Sequence, residues 1–131
     1  MKVLETSFLV DYLNEQSYTL DYLNANAEAE YAVPTIALYE LYAGAIRSDA
    51  TSETITTVAE ALQWASVVAF NDSATREAAR IRATLLDQGQ PIPVPDMLNA
   101  SIARAVSGEL IATDEHFAQI PDFDFYNPRS I

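Results

Sequence analysis

Cysteine is absent from this chain, which excludes disulfides and thiolate metal sites. A cytoplasmic protein fits that absence. Lysine is nearly absent: Lys2 is the single one, and the other cations are arginines. Phosphoryl transfer to an aspartate, as in receiver or haloacid-dehalogenase-like domains, pairs its acceptor with a lysine late in the chain, so the lack of any lysine after Lys2 argues strongly against that chemistry. Positive charge is scarce overall, with 7 basic residues against 19 acidic ones and a formal net charge of −12. A surface of this kind lacks the basic patch of ordinary nucleic-acid binders. Any nucleic-acid chemistry here needs metal ions, screening salt or a basic partner. The same acid excess is the kind halophiles use, and it predicts a high-salt cytoplasm. Long apolar runs are missing, and none reaches the ~20 residues of a transmembrane helix. The opening Met1-Lys2-Val3-Leu4-Glu5 is too short and too soon charged to read as a signal peptide.

What is present is a globular pattern. Half of the 131 residues are hydrophobic, enough for one domain, 1–131, with its own core. Lys2 to Glu5 reads as a short strand. Ser7 is placed to cap a helix through Phe8, Leu9, Tyr12 and Leu13, and a second helix follows over 17–26. Tyr31 to Val33 reads as a strand ended by Pro34, and Thr35 as the cap of a helix bearing Leu38, Leu41, Tyr42 and Ala45. A further helix starts at Ser52, then a strand over 66–70. Asp72 or Ser73 caps a long helix that ends near Gly89. The segment 90–95 reads as an extended, proline-fixed linker. A helix then runs from Asp96 to about Val106, a strand over 109–112, a short helix over 115–119, and a last strand over 123–126. Strands alternating with helices predict an α/β fold with a parallel sheet covered on both faces.

Four acidic residues fall beside or within the apolar runs: Glu5, Glu40, Asp96 and Asp114. A carboxylate there is costly unless something compensates it. With so few cations in the chain, the available compensator is a divalent metal. Oxygen ligands from Asp and Glu suit the hard ions Mg²⁺ and Mn²⁺. Such sites form at the carboxyl ends of parallel strands, and Glu5 and Asp114 lie at or just after strand ends. Each also has an ordinary reading. Asp96 and Asp114, taken singly, read as helix caps. Thr6 and Ser7 read first as caps, Asn99 as a residue sharing the helix face of Asp96, and His116 as a surface histidine. Arg76 and Arg80 read as surface pairs for neighbours such as Glu77. The tyrosines read as core and interface material.

Four segments in order resemble one family. Val3-Leu-Glu-Thr-Ser-Phe-Leu-Val10 is similar to the opening L-D-T-S-x-L-I of PIN domains, and of VapC-type toxin ribonucleases in particular. Pro34 to Gly44 resembles the segment carrying their second acid, at Glu40. Pro95 to Ala103 resembles the helix carrying the third, at Asp96. Leu110 to Ile120 resembles the T-x-D-x-D-F region, with Asp114 as the fourth. The resemblance covers essentially the full length. It implies a three-layer α/β/α fold around about five short parallel strands. It also implies a metal-dependent endoribonuclease, the toxin of a type II toxin–antitoxin pair, hydrolysing RNA phosphodiesters with metal-activated water. Glu5, Glu40, Asp96 and Asp114 would be its catalytic and metal-binding residues, with Mg²⁺ or Mn²⁺ as cofactor. Ser7, Thr6, Asn99 and His116 would be auxiliary, Ser7 and Thr6 by holding metal or water. A VapB-like antitoxin and a second copy of the chain would be its protein partners. Tyr39, Leu41, Tyr42 and the first helices would form the antitoxin groove. Two positions depart from the pattern. Glu5 stands where the family has Asp, and His116 where a further Asp often sits. The first departure keeps an alternative open, a catalytically impaired PIN-like interaction module.

Overall fold

In the computed structural model, which describes residues 1–48 and 52–129, strands and helices alternate. They are β1 (Lys2–Leu4), α1 (Thr6–Leu13), α2 (Ser17–Ala25), β2 (Tyr31–Pro34), α3 (Thr35–Arg47) and α4 (Ser52–Ala61), followed by β3 (Ser66–Val68), α5 (Asp72–Asp87), α6 (Val94–Ala105), β4 (Glu109–Ile111), a 3₁₀ turn (Glu115–Gln119) and β5 (Phe125–Tyr126). The five strands form one parallel sheet in the order β3-β2-β1-β4-β5. The chain therefore winds outward from β1 to β3, then returns to the other side of β1. The reversal falls between β1 and β4, and such a switch point opens a crevice at the carboxyl ends of the strands.

Side-chain alternation along the strands builds the two outer layers. Val3 pairs with Leu110 and Leu4 with Ile111. Val3 and Leu110 join Ile81, Leu85, Met97, Ala100 and Phe117 in one buried cluster, under α5 and α6. Leu4 and Ile111 join Phe8, Leu9, Tyr22, Val33, Ala37 and Leu41 in the other, under α1, α2 and α3. The central strands thus bury both faces, as a parallel sheet requires. Phe8 has no exposed surface and packs edge-on against Tyr18 and Tyr22, at 6.1 and 5.8 Å. Burial of a side chain that size contributes about 1.5–3 kcal/mol. The three-layer α/β/α architecture with five short parallel strands is the one the sequence predicts.

Several boundaries differ for local reasons. The cap of α1 is Glu5, not Ser7; Ser7 lies inside the first turn and donates to the Glu5 carboxylate. Thr35 is the first residue of α3 rather than its cap, and its hydroxyl accepts from Phe70 N. Asn71, not Asp72 or Ser73, caps α5, its side chain accepting from Ala74 N at 3.0 Å. At the far end of α5, Gly89 takes φ +68°, with Gln90 N bonded to Leu85 O and Gly89 N to Leu86 O. That pair of bonds is the left-handed glycine stop expected there. Helix α6 begins at Val94, so Pro95 and Asp96 lie within its first turn rather than ahead of it. A first-turn N–H has no intrahelical partner, so proline costs nothing there. The strands at 66, 109 and 125 are each shorter than the apolar runs that announce them. No described helix is long and apolar enough to cross a membrane.

Candidate active site

The crevice between β1 and β4 is framed by the residues that leave those strands. Glu5 follows β1 directly, and its backbone N–H reaches across to Ile111 O of β4 at 2.9 Å. Its φ of −83° and ψ of 162° turn the chain from strand to helix. The side chain folds back into the first turn of α1, where Oε2 accepts from Ser7 N at 2.8 Å and from Ser7 Oγ at 2.5 Å. Only 2% of Glu5 is exposed. Burial is the main cause that pushes its pKa up to about 7; the charges of Asp96 and Glu40 act in the same direction, and the Ser7 bonds oppose it.

Glu40 reaches the crevice from α3 and Asp96 from the first turn of α6. One carboxylate oxygen from each of Glu5, Glu40 and Asp96 lies within 4.8 Å of the other two. The Oε1 atom of Glu40 is held from two sides. Thr6 Oγ1 donates to it at 2.6 Å and Asn99 Nδ2 at 3.1 Å, while Asn99 also reaches Thr6 Oγ1 at 3.3 Å. Asn99 is fully buried, and its Oδ1 has no hydrogen-bond partner. Burial raises the Asp96 carboxyl first; Glu40 and Asp114 add to the rise, and His116 works against it.

The fourth acid sits further out. Asp114 begins the 3₁₀ turn as its cap, Oδ1 accepting from His116 N at 3.3 Å, and half of its side chain is exposed. It meets the others through a second triad, Asp96, Asp114 and His116, whose ligand atoms again lie within 4.8 Å of one another. The two triads share Asp96. His116 is thus not the surface histidine of the ordinary reading. Its side chain is 20% exposed, with Nε2 2.8 Å from Asp96 Oδ2 and Nδ1 3.0 Å from Asp114 Oδ1. The Nε2 contact is close without being an aligned hydrogen bond, and that buried atom has no hydrogen-bond partner.

Sequence reasoning did not foresee how the outer loop is fixed. Ser7 Oγ accepts from Thr113 N at 3.0 Å, so the serine that serves Glu5 also ties down the chain just before Asp114. Asn127 donates to Thr113 O and to Glu115. These partners are more than 100 and 12 to 14 residues apart, and no local pattern signals such pairings.

The donor set fits a divalent cation. Three carboxylates, one buried and two part-buried, crowd the crevice, and the ion pairs of lysine and arginine among the described residues lie elsewhere. Lys2 pairs with Glu109, Arg76 with Asp72, Arg80 with Glu77 and Arg129 with Asp11. Two buried polar atoms at the crevice, Asn99 Oδ1 and His116 Nε2, lack partners. All the oxygen donors are of the hard type that Mg²⁺ and Mn²⁺ prefer.

The chain matches the family model for the PIN domain over residues 2–122. Its backbone is similar to a chain in the crystal structure of VapBC2 from Rickettsia felis bound to a DNA fragment from their promoter, with TM-score 0.87 and 25% identity over 96% of this chain and 97% of that one. It is also similar in fold to a chain of DNA-bound VapBC from Salmonella typhimurium, with TM-score 0.86 and 22% identity over 97% of both chains. FitAcB from Neisseria gonorrhoeae gives TM-score 0.83 and 18% identity over 100% of both. No curated protein matches the chain in sequence.

Proposed function

This chain belongs to the PIN domain family, and from that premise we propose that it is a metal-dependent endoribonuclease, the toxin of a type II toxin–antitoxin pair. Proteins of the family are nucleases in general and use divalent metals. One observation carries the reading: three carboxylates from separate elements meet within 4.8 Å in a crevice to which no described lysine or arginine is ion-paired. A bound Mg²⁺ or Mn²⁺ supplies an activated water and stabilises charge developing on the phosphate.

The residues of the chain do the positioning. Ser7 ties Glu5 Oε2, and Thr6 with Asn99 ties Glu40 Oε1, so each carboxylate keeps its second oxygen for the crevice. Asp96 stands in the first turn of α6, where the helix dipole favours its negative charge. Asp114 adds a carboxylate at the exposed rim. No side-chain nucleophile is required, which agrees with the lack of cysteine.

The partner is a VapB-like antitoxin, and α3 offers a face for it. Tyr39, Tyr42, Ala43 and Ile46 follow helical spacing on its outer side. With Thr35 and Leu38 they line an apolar hollow of about 420 Å³. Tyr39 is 65% exposed and Ile46 54%. Leu41, expected in this groove, instead faces the core beside Ala37, because its position on α3 points toward the sheet. A basic antitoxin segment would also offset the net charge of −12.

The test is cleavage of RNA by the purified protein in Mn²⁺ or Mg²⁺, with and without EDTA, and its suppression by the product of the neighbouring open reading frame. Cleavage undiminished in excess EDTA would overturn the proposal. A folded protein that shows no metal binding by calorimetry and never cleaves RNA would favour the impaired interaction module.

A further inference from the structure

His116 and Asp114 are arranged as a histidine ligand and its orienting carboxylate. Asp114 Oδ1 accepts from the His116 backbone N–H and stands 3.0 Å from the ring's Nδ1. The ring lies against Phe117, with centroids 4.7 Å apart, which limits its rotation. Both ring nitrogens stand within ion-pair distance of a carboxylate, Nδ1 of Asp114 and Nε2 of Asp96; when a bound cation takes the place of a proton on Nε2, the ring proton lies on Nδ1 beside Asp114. A carboxylate that fixes the tautomer of a histidine in this way is the usual support of a metal-ligating imidazole.

The Nε2 atom then faces Asp96 Oδ2 at 2.8 Å, buried and without an aligned hydrogen bond. A proton on Nε2 would make the contact an ion pair without hydrogen-bond alignment, whereas a divalent cation touching both atoms needs no such alignment. Adjacent ligands of one octahedral ion, each at ~2.1 Å, stand about 3.0 Å apart. The observed separation is close to that spacing. An imidazole nitrogen also changes which ion is preferred. Mg²⁺ is served by oxygen ligands, whereas nitrogen favours first-row transition ions.

We propose that His116 is a metal ligand through Nε2, sharing an ion with Asp96, that Asp114 positions its ring rather than ligating, and that this mixed nitrogen–oxygen set favours Mn²⁺-class cations over Mg²⁺. The inference rests on the divalent-cation reading above and goes beyond it in naming a nitrogen ligand and an ion preference.

Electron spin-echo spectroscopy of the full chain loaded with Mn²⁺ tests it without reference to activity. The expected result is an imidazole ¹⁴N modulation on bound Mn²⁺. That modulation is lost in His116→Asn and His116→Ala while Mn²⁺ still binds, and circular dichroism verifies the fold of each variant. Asp114→Asn, whose amide oxygen can still accept from Nδ1, should keep the modulation and weaken Mn²⁺ binding by roughly 10–100-fold. His116→Asp should lower the Mn²⁺-over-Mg²⁺ preference about tenfold by returning an oxygen ligand. Bound Mn²⁺ with no imidazole modulation in the parent chain would overturn the histidine ligand and leave the divalent-cation reading standing. No Mn²⁺ uptake by the parent chain would overturn both.

Discussion

The pair of strands β1 and β4 has acidic residues at its amino end and at its carboxyl end, and the two ends treat charge in opposite ways. At the amino ends, Glu109 opens β4 and meets Lys2 of β1 at 2.7 Å. Each partner is about a quarter exposed, and the Glu109 hydrogen bond is the main cause that raises the Lys2 pKa. At the carboxyl ends, the buried Glu5 meets the part-buried Asp96 and Glu40, and burial, helped by those two charges, pushes the Glu5 pKa up to about 7. One end is a compensated ion pair; the other is a set of like charges with no lysine or arginine paired to it among the described residues and His116 alone beside Asp96. The lesson is that a buried carboxylate marks a functional site only when its compensation is missing. Glu109 and Glu5 are the same residue type on neighbouring strands, and the partner alone separates their meanings.

The contrast breaks most sharply at Asp96. Asp96→Asn should nearly abolish metal-dependent RNA cleavage, by at least about 1,000-fold, or ~4 kcal/mol of transition-state stabilisation. Thermal unfolding should show the fold intact. Cleavage rates within tenfold of the parent would remove this cluster from the chemistry.

Next in size is the stability carried by Glu5 in metal-free protein. Its folded pKa, about 7, lies above the ordinary value of 4.5. Its contribution is therefore fully present below about pH 4.5 and is lost as pH rises through about 7. The loss amounts to roughly 3 kcal/mol at 1.36 kcal/mol per unit. Denaturant titrations across that window should show a steeper decline in the parent than in Glu5→Gln, whose side chain stays neutral and which keeps only the share of Asp96. Excess Mn²⁺ should flatten the parent's decline. Equal pH profiles for parent and variant would show that the buried carboxyl is not under this strain.

Salt comes third. A net charge of −12 predicts self-repulsion, and at 1 M salt the Debye length falls to about 3 Å. Molar KCl should raise the melting temperature by several degrees, since 1 kcal/mol corresponds to about 2–8 °C in domains of this size class. A flat melting temperature would remove the halophilic reading.

The smallest effect is expected where charge is compensated. Lys2→Gln removes a part-exposed ion pair, and such pairs contribute at most about 1 kcal/mol. Stability should change by no more than that, and RNA cleavage should not change. A loss of cleavage would mean that the two strand ends are not independent.

The sequence by itself determined the strand–helix alternation, the parallel sheet with two covered faces and the positions of the four acids. Those follow from short-range physics: period-2 and period-3.6 apolar patterns, glycine and proline stops such as Gly89 and Pro34, and a carboxylate interrupting an apolar run. Caps were less legible. Asn71 and Asp72 are equally good capping residues, and only the turn geometry chooses between them. Tertiary structure alone decided which acids meet and through what. It put Glu40 under Thr6 and Asn99, residues 34 and 59 positions away. It also moved Asp114 to the rim and turned His116 from a surface residue into the bridge between Asp114 and Asp96. The physical reason is that these contacts depend on the order in which strands enter the sheet. The reversal between β1 and β4 joins chain segments more than 100 residues apart, and no local pattern encodes that adjacency.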